Sequence, residues 1–263
     1  MGVARRYGAV QPRPDVMSRG ILSRRAVLGF VPLTMTAANA SGLGQWIEPE
    51  MKRVPSSNGA KRVALTLDAC PGGVDRRILD VLITENVRAT VFLTARWIAG
   101  NRDAMTSLLN HRDLFAFENH GARHIPPILG DGTMYGMRVA GTLTNIRREI
   151  EDGAAAIKTA TGVSPTWYRG ASARYSPEAI ALLEQMNLRA AGYSRSADQG
   201  ASLSAANVVQ RMAQAKDGEI ILGHINQPRR PSGEGLARGI VALKQRGFSF
   251  VHLDGLSGDP VRL

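Results

Sequence analysis

The chain has 263 residues, which is enough for one large α/β domain or two small ones. A hydrophobic content of 44% and a charged content of 21% are typical of a globular protein, and the single cysteine excludes an intramolecular disulfide. The formal net charge is +11, but the first 25 residues hold six arginines and one aspartate, so much of that charge belongs to the tail. The remainder has no dense Lys/Arg run interleaved with aromatic residues, and we expect no nucleic-acid partner. A mild positive field suits an anionic envelope or polymer.

The N-terminus has the pattern of an export signal. Arg24 and Arg25 precede a modestly apolar run over residues 29–38, and 38–40 have the small-x-small form of a cleavage site. Twin arginines before a weak apolar core are typical of the twin-arginine route, and the run is far shorter than the ~20 residues of a membrane span. We therefore predict an export signal over 1–40, a polar linker over 41–60, and a periplasmic or secreted protein with no stable span after signal removal. A disordered basic tail is the alternative.

Short apolar runs alternate with helical patterns from residue 61 onward. The runs predict seven strands, over 63–67, 89–93, 114–117, 166–168, 189–193, 219–222 and 249–253. The intervening patterns predict helices over 75–85, 102–110, 142–161, 176–186, 205–215 and 235–246, and a glycine-rich loop is predicted over 121–136. Successive β/α units imply parallel strands joined by right-handed crossovers. Seven or eight such units favour a barrel over an open sheet.

Polar side chains follow several of these strands. His120 and His124 lie four residues apart after the third strand, and on one helical turn they would point to the same side and hold a divalent metal. The other polar residues at strand ends are Asp68, Asn119, Arg169, Asp198 and His224. Each has an ordinary structural explanation when taken alone. In a β/α barrel, however, the C-terminal strand ends meet at one mouth, so the set predicts a common site.

These residues occur in motifs that resemble those of the NodB-like polysaccharide deacetylases, carbohydrate esterase family four. The matching segments, in order, are Thr66-Leu67-Asp68-Ala69-Cys70-Pro71, His120-Gly121-Ala122-Arg123-His124, Tyr168-Arg169-Gly170-Ala171-Ser172, the single residue Asp198, and Leu222-Gly223-His224. The resemblance covers nearly all of residues 61–263, although the third and fourth motifs are degenerate. It implies an α/β fold, a distorted (β/α)7-8 barrel of the NodB-homology type.

The resemblance also implies a role for each residue. Asp68 takes the place of the general base, and Arg169 that of the arginine that orients it. The metal ligands would be His120 and His124. His224 takes the place of the general acid, polarised by Asp198. These residue types suit amide hydrolysis, which needs an activated water, a stabilised oxyanion and a proton for the leaving amine.

Three further residues are candidates for contact with the substrate. Leu222 would seat the acetyl methyl group, and Asn119 lies beside the metal motif. Tyr175 would stack on a sugar or line the groove, although a packing role is equally compatible with its position.

One position departs from the family pattern. The motif has a second aspartate as the third metal ligand, and this chain has Ala69 there, which cannot coordinate a metal. Three outcomes stay open. A divalent ion, zinc or similar, binds with waters or with a substitute ligand such as Asn119 or Asp75. Alternatively, the protein is a metal-independent hydrolase of a small amide. In the third case, it has lost catalysis and only binds glycans.

The sequence thus predicts an exported hydrolase that acts on an acetylated polysaccharide of the envelope or the extracellular space. N-acetyl groups are the expected target, with O-acetyl groups as a less favoured one. Peptidoglycan and an exopolysaccharide are both candidate substrates.

Overall fold

The structure is a computed structural model that describes residues 42–51 and 59–256. The predicted export signal lies outside the described residues, as does most of the predicted linker beyond residue 51. None of the described helices combines the length and the hydropathy that a bilayer-spanning segment requires.

Within these described ranges, eight strands form one parallel sheet, and two more form a separate antiparallel hairpin. In chain order the strands are β1 (Arg62–Ala69), β2 (Ala89–Leu93), β3 (Phe115–Asn119), β4 (Thr133–Met134), β5 (Met137–Arg138), β6 (Trp167–Tyr168), β7 (Arg189–Ala190), β8 (Arg195–Ser196), β9 (Glu219–His224) and β10 (Ser249–Val251). The hairpin is β4–β5. It begins inside the predicted glycine-rich loop and ends two residues beyond it, and its two-residue strands are too short for a periodic signal.

The helices are α1 (Arg76–Thr84), α2 (Ala95–Gly100), α3 (Arg102–Asn110), α4 (Leu143–Thr161), α5 (Pro177–Gln185), α6 (Ala205–Ala213) and α7 (Ser232–Gln245). Their ends follow from capping. The Thr142 side chain accepts from the backbone N–H of Asn145 to begin α4, and Gly162 ends it in the left-handed region at φ 78°. The Asp75 side chain caps α1 in the same way. Only α2 is absent from the predicted set, because six residues are too few for a helical pattern.

The sheet order is β7-β6-β3-β2-β1-β9-β8, and β10 pairs with the beginning of β1. β7 and β8 form the two ends of this order, yet only residues 191–194 separate them in the chain, so the ends lie at most about 18 Å apart. The sheet must therefore curl until its edges approach. The predicted distorted β/α barrel is confirmed.

The single strand predicted over 189–193 is wrong. Pairing stops after Ala190 and resumes at Arg195. The backbone between them is used elsewhere: the oxygen of Gly192 accepts from the Arg169 side chain, and Tyr193 pairs with Glu50. The fifth predicted strand is therefore two short strands.

Side chains along β1 alternate between two faces, one in the hydrophobic core under the helices and the other in the barrel interior. Leu65, Leu67 and Ala69 have no exposed surface and belong to the main hydrophobic core, which includes residues of α1 and α7. Burial of each leucine contributes about 1.5–3 kcal/mol. Thr66 and Asp68 have the opposite parity and point to the other face of the strand. The strand thus fixes Asp68 toward the interior.

Residues 42–51 lie against this domain. The backbone N–H of Gly44 donates to the oxygen of Leu129 at 2.9 Å, and Ile47 pairs with Tyr175. This stretch therefore contributes to the surface around the barrel mouth.

Candidate active site

Four strand ends bring the predicted residues together. Asp68 lies near the end of β1, His120 directly after β3, Arg169 directly after β6, and His224 at the end of β9. Because all these strands are parallel members of one sheet, their C-terminal ends share one edge. The predicted convergence at the barrel mouth is observed.

Arg169 holds Asp68 in place. Its Nη1 donates to Asp68 Oδ1 at 2.9 Å and to Thr66 Oγ1 at 3.0 Å, while Nη2 donates to the oxygen of Gly192. The guanidinium also lies 4.2 Å from the ring centre of Phe92 and is fully buried. Burial would raise the pKa of Asp68, but the charges of His120, Arg169 and His224 bring that pKa below its ordinary value. Asp68 is therefore ionised and oriented, as a general base requires.

His120 is fixed by one short hydrogen bond. Its Nδ1 lies 2.6 Å from the main-chain oxygen of Arg169, and a carbonyl oxygen only accepts, so Nδ1 carries the hydrogen. In the neutral ring, Nε2 then has the free lone pair. Nε2 lies 3.3 Å from Cys70 Sγ and 3.7 Å from Asp68 Oδ2. Such a backbone bond behind the ring is how proteins orient metal-binding histidines.

His124 reaches the same place without a helix, from the loop that the sequence predicts over 121–136. The chain turns after β3, and His124 itself has φ 69°. The two imidazole centres are 4.9 Å apart. The turn is held by Glu149 of α4, a buried residue that the sequence did not indicate. Its Oε1 accepts from the backbone N–H of Arg123 at 2.7 Å and of Ile125 at 3.2 Å, on both sides of His124.

Cys70 is the third donor beside the two histidines. One potential ligand atom from each of Cys70, His120 and His124 lies within 4.8 Å of the others. Burial raises the pKa of the Cys70 thiol, but the charge of His120 and hydrogen bonds with the imidazoles of His120, His124 and His224 bring it well below its ordinary value. Two imidazoles and a thiolate are a donor set that fits a divalent metal. The family motif does not indicate Cys70, because its third ligand stands at position 69.

The two substitute ligands considered from sequence are used elsewhere. Asn119 is fully buried; its amide donates to the oxygen of Ile150, and its Oδ1 accepts from the backbone N–H of Gly121. Asp75 caps α1 and pairs with Arg77 at 2.6 Å. The structure therefore brings neither side chain to the two histidines.

His224 and Asp198 form a pair. Asp198 is fully buried, with Oδ1 2.9 Å from His224 Nδ1 and Oδ2 accepting from the His224 backbone N–H at 2.8 Å. Burial would lower the pKa of His224, but the charge and hydrogen bond of Asp198, with a smaller contribution from Cys70, raise it well above its ordinary value. His224 is thereby kept protonated, as a general acid requires.

The predicted substrate contacts are only partly brought together. Leu222 lines the cavity, as expected for a residue that contacts an acetyl methyl. Tyr175 is fully buried; its hydroxyl accepts from the Gly170 backbone N–H and donates to the oxygen of Tyr168, so it supports the turn after β6. Asn119 supports the turn after β3 and does not reach the cavity lining.

A cavity of about 1010 Å³ opens over these groups. Its lining includes the five groups Asp68, Cys70, His120, His124 and His224, together with Glu48, Tyr135, Arg174 and Arg211. Binding pockets for small molecules usually measure about 300–1,000 Å³, so the space is ample for saccharide units.

Comparisons with known proteins agree with this geometry. The family model described as polysaccharide deacetylase matches residues 56–191, more than half of the chain. A bifunctional xylanase/deacetylase from Pseudobutyrivibrio xylanivorans is 28% identical over 204 residues, which cover 76% of this chain and 31% of that protein. The chain thus spans less than a third of this relative's length.

Solved structures share the fold. The peptidoglycan deacetylase PdaC from Bacillus subtilis is 22% identical with a TM-score of 0.61, covering 76% of this chain and 92% of that one. A CE4-family pseudoenzyme from Bacillus anthracis is 21% identical with a TM-score of 0.60, covering 80% of this chain and 69% of that one.

The segment that matches the family model contains Asp68, both metal-motif histidines and Arg169, and the structure places His224 of β9 at the same cavity. With that match, and with the strand ends arranged as described, the chain belongs to the polysaccharide deacetylase family.

Proposed function

We propose that this protein is an exported hydrolase that removes N-acetyl groups, or less favourably O-acetyl groups, from an envelope or extracellular polysaccharide. The observation that carries the proposal is that Asp68 and His224 line the same cavity, each with its own buried partner. A base and an acid with pKa values moved in opposite directions are what hydrolysis of an amide needs.

A divalent metal belongs to this proposal, because family members generally use one and the residues fit it. His120 and His124 would hold the ion, with Cys70 as the third donor. When bound, such an ion lowers the pKa of a water molecule and polarises the acetyl carbonyl.

Side chains of the protein itself carry out the two proton transfers. Asp68, ionised beside Arg169, removes the proton from the attacking water. His224 gives its Nε2 proton to the amine as the carbon–nitrogen bond breaks, while Asp198 stabilises the imidazolium through Nδ1. Leu222 contacts the acetyl methyl group.

Export by the twin-arginine route is the second part of the proposal. It is supported by Arg24, Arg25 and the short apolar run that follows them. A polymer substrate outside the cytoplasm agrees with that location. Secretion of a reporter fused behind residues 1–40, lost when both arginines become lysine, would test it.

The direct test is acetate release from chitooligosaccharides, peptidoglycan and acetylated exopolysaccharides, with and without added Zn²⁺. We expect release from one of these classes, and loss of release in Asp68→Asn, which keeps the shape of the side chain but not its basicity. An Asp80→Asn variant on the exposed side of α1 is the matched control.

Two rival functions make different predictions, and specific observations favour the first of them. Ala69 replaces a ligand of the family pattern, and a similar fold occurs in a pseudoenzyme. A non-catalytic glycan-binding protein would bind the same polymers with no acetate release, and Asp68→Asn would leave that binding unchanged. A hydrolase of a small amide would instead release product from low-molecular-weight amides only, without a metal.

A further inference from the structure

Cys70 directly follows Ala69, which stands in the place of a metal ligand of the family pattern. Its Sγ is 3.3 Å from His120 Nε2, and it forms with His120 and His124 the one three-residue cluster of potential ligands found among the described residues. Zinc–sulfur and zinc–nitrogen bonds of about 2.3 and 2.0 Å in a tetrahedral site separate the two donor atoms by about 3.5 Å. The observed spacing is therefore close to that of a bound site.

Strand parity explains why position 70 takes this place. Ala69 points into the main core with Leu67, so its side chain faces away from the cavity. Asp68 and Cys70 both line the cavity, since residues two apart on a strand point to the same face. Asp68 Oδ1 is engaged with Arg169, and Asp68 Oδ2 lies 3.7 Å from His120 Nε2, so Cys70 Sγ at 3.3 Å is the nearer donor.

The ring of His120 is already set for this arrangement. Its Nδ1 hydrogen is committed to the main-chain oxygen of Arg169, so the Nε2 lone pair faces the sulfur. A metal between Sγ and Nε2 would therefore need no change of tautomer.

We infer that Cys70 binds the metal as a thiolate and, with His120 and His124, forms a Cys-His₂ site that selects zinc-like ions over hard ions such as Mg²⁺ and Mn²⁺. This inference rests on the metal site of the proposed function and names its third ligand and its ion class. Thiolate is a soft ligand that favours Zn²⁺, whereas Mg²⁺ and Mn²⁺ prefer carboxylate, carbonyl and water oxygens.

The test uses cobalt as a spectroscopic probe of the full mature chain. Co²⁺ bound to a thiolate gives an intense sulfur-to-metal charge-transfer band in the near ultraviolet. The chain has one cysteine, so any such band belongs to Cys70. We expect the band in the wild type and its loss in Cys70→Ser. Cys70→Asp should bind cobalt without the band, because a carboxylate replaces the thiolate.

Zinc affinity, measured by competition with a chromophoric chelator, gives a second readout. Loss of a hydrogen-bond partner behind a ligand costs roughly 10–100-fold in affinity, and loss of the ligand itself in Cys70→Ser should cost at least as much. Zn²⁺, but not Mg²⁺, should protect Cys70 from alkylation by iodoacetamide. Far-ultraviolet circular dichroism checks that each variant is folded.

The inference is overturned if the wild type binds cobalt without a sulfur band, or if Cys70→Ser binds zinc as tightly as the wild type. Acetate release that is insensitive to chelators but abolished by alkylation would also overturn it, since the thiol would then act as a nucleophile. Failure of the proposed function looks different: the sulfur band is present, but no acetylated polymer is hydrolysed.

Discussion

The Nδ1 atom of His120 lies 2.6 Å from the main-chain oxygen of Arg169, while the guanidinium of the same arginine holds Asp68. One residue therefore fixes both an imidazole of the proposed metal site, through its backbone, and the proposed general base, through its side chain. This links the two halves of the site through the short strand β6.

Replacement of Arg169 by lysine should separate the backbone contact with His120 from the side-chain contact with Asp68. The backbone bond to His120 stays, but a single ammonium group cannot reproduce the hydrogen bonds to Asp68, Thr66 and Gly192. We expect kcat to fall roughly 10²-fold, as for a misplaced catalytic group.

The acidic limb of the kcat/KM profile should also move to higher pH in this variant, because a less well paired Asp68 is protonated more easily. The exposed Arg238→Lys variant serves as control. An unshifted acidic limb would contradict the assignment of Asp68 as the base.

Removal of the acid should leave the metal in place. His224 lies outside the Cys70–His120–His124 cluster, so His224→Ala is expected to keep its zinc content while turnover falls roughly 10²–10⁴-fold. Zinc analysis and steady-state kinetics on the same preparation check this. Wild-type turnover in the variant would end the acid assignment.

Asp198→Asn should change the pH at which activity is lost. The raised pKa of His224 keeps the imidazole protonated as pH increases, and activity disappears when the pH passes that pKa. Without the carboxylate charge the pKa of His224 falls, so the alkaline limb of the rate profile should move to lower pH. An alkaline limb identical to that of the wild type would show that another group controls it.

Glu149 should affect metal binding from outside the site. Glu149→Ala leaves the backbone N–H groups of Arg123 and Ile125 without their acceptor and loosens the turn that carries His124. We expect zinc affinity to fall roughly 10–100-fold. Glu151→Ala, two residues along the same helix and exposed, should leave the affinity unchanged. Equal affinities in the two variants would refute this role.

Glu118 should make stability depend on pH. Burial raises its pKa from 4.5 to about 7, although it accepts from the backbone N–H groups of Thr166 and Trp167. The folded state thus holds a proton that the unfolded chain releases near pH 4.5. The contribution of Glu118 to the free energy of unfolding is therefore fully present below pH 4.5. Roughly 3 kcal/mol of it is lost as the pH rises toward 7.

Denaturant titrations of the wild type and Glu118→Gln between pH 4.5 and 7.5 isolate this contribution. The wild type should lose stability relative to the variant across the window. Parallel stability curves would contradict the raised pKa.

Much of the fold follows from local patterns. Long or continuously apolar runs predict three of the buried strands, β1, β2 and β9. The alternation of strands and helices predicts that these strands run parallel. The break between β7 and β8 could not be predicted, because it depends on contacts of Gly192 and Tyr193 with residues far away in the chain. Likewise, the turn at His124 depends on Glu149, which a periodic pattern does not reveal.

Cys70 shows where motif comparison falls short. The aspartate missing at position 69 suggests substitute oxygen ligands such as Asn119 and Asp75. The alternation of side chains along β1 indicates instead that position 70 shares the face of Asp68. That signal was present in the sequence. Only the packing of Ala69 in the core and the position of Sγ beside His120 show that the alternation continues past the end of the strand.

Residues 42–51 have a practical consequence for how the protein is produced. Glu48 lines the cavity, hydrogen-bonds the hydroxyl of Tyr193 at 2.6 Å and pairs with Arg174. A recombinant fragment that begins at residue 61, directly before β1, would lack Glu48. Tyr193 and Arg174 would then lose their contacts with this carboxylate. Expression should therefore start upstream of residue 42, since a shorter version would present an altered entrance to any polymer chain.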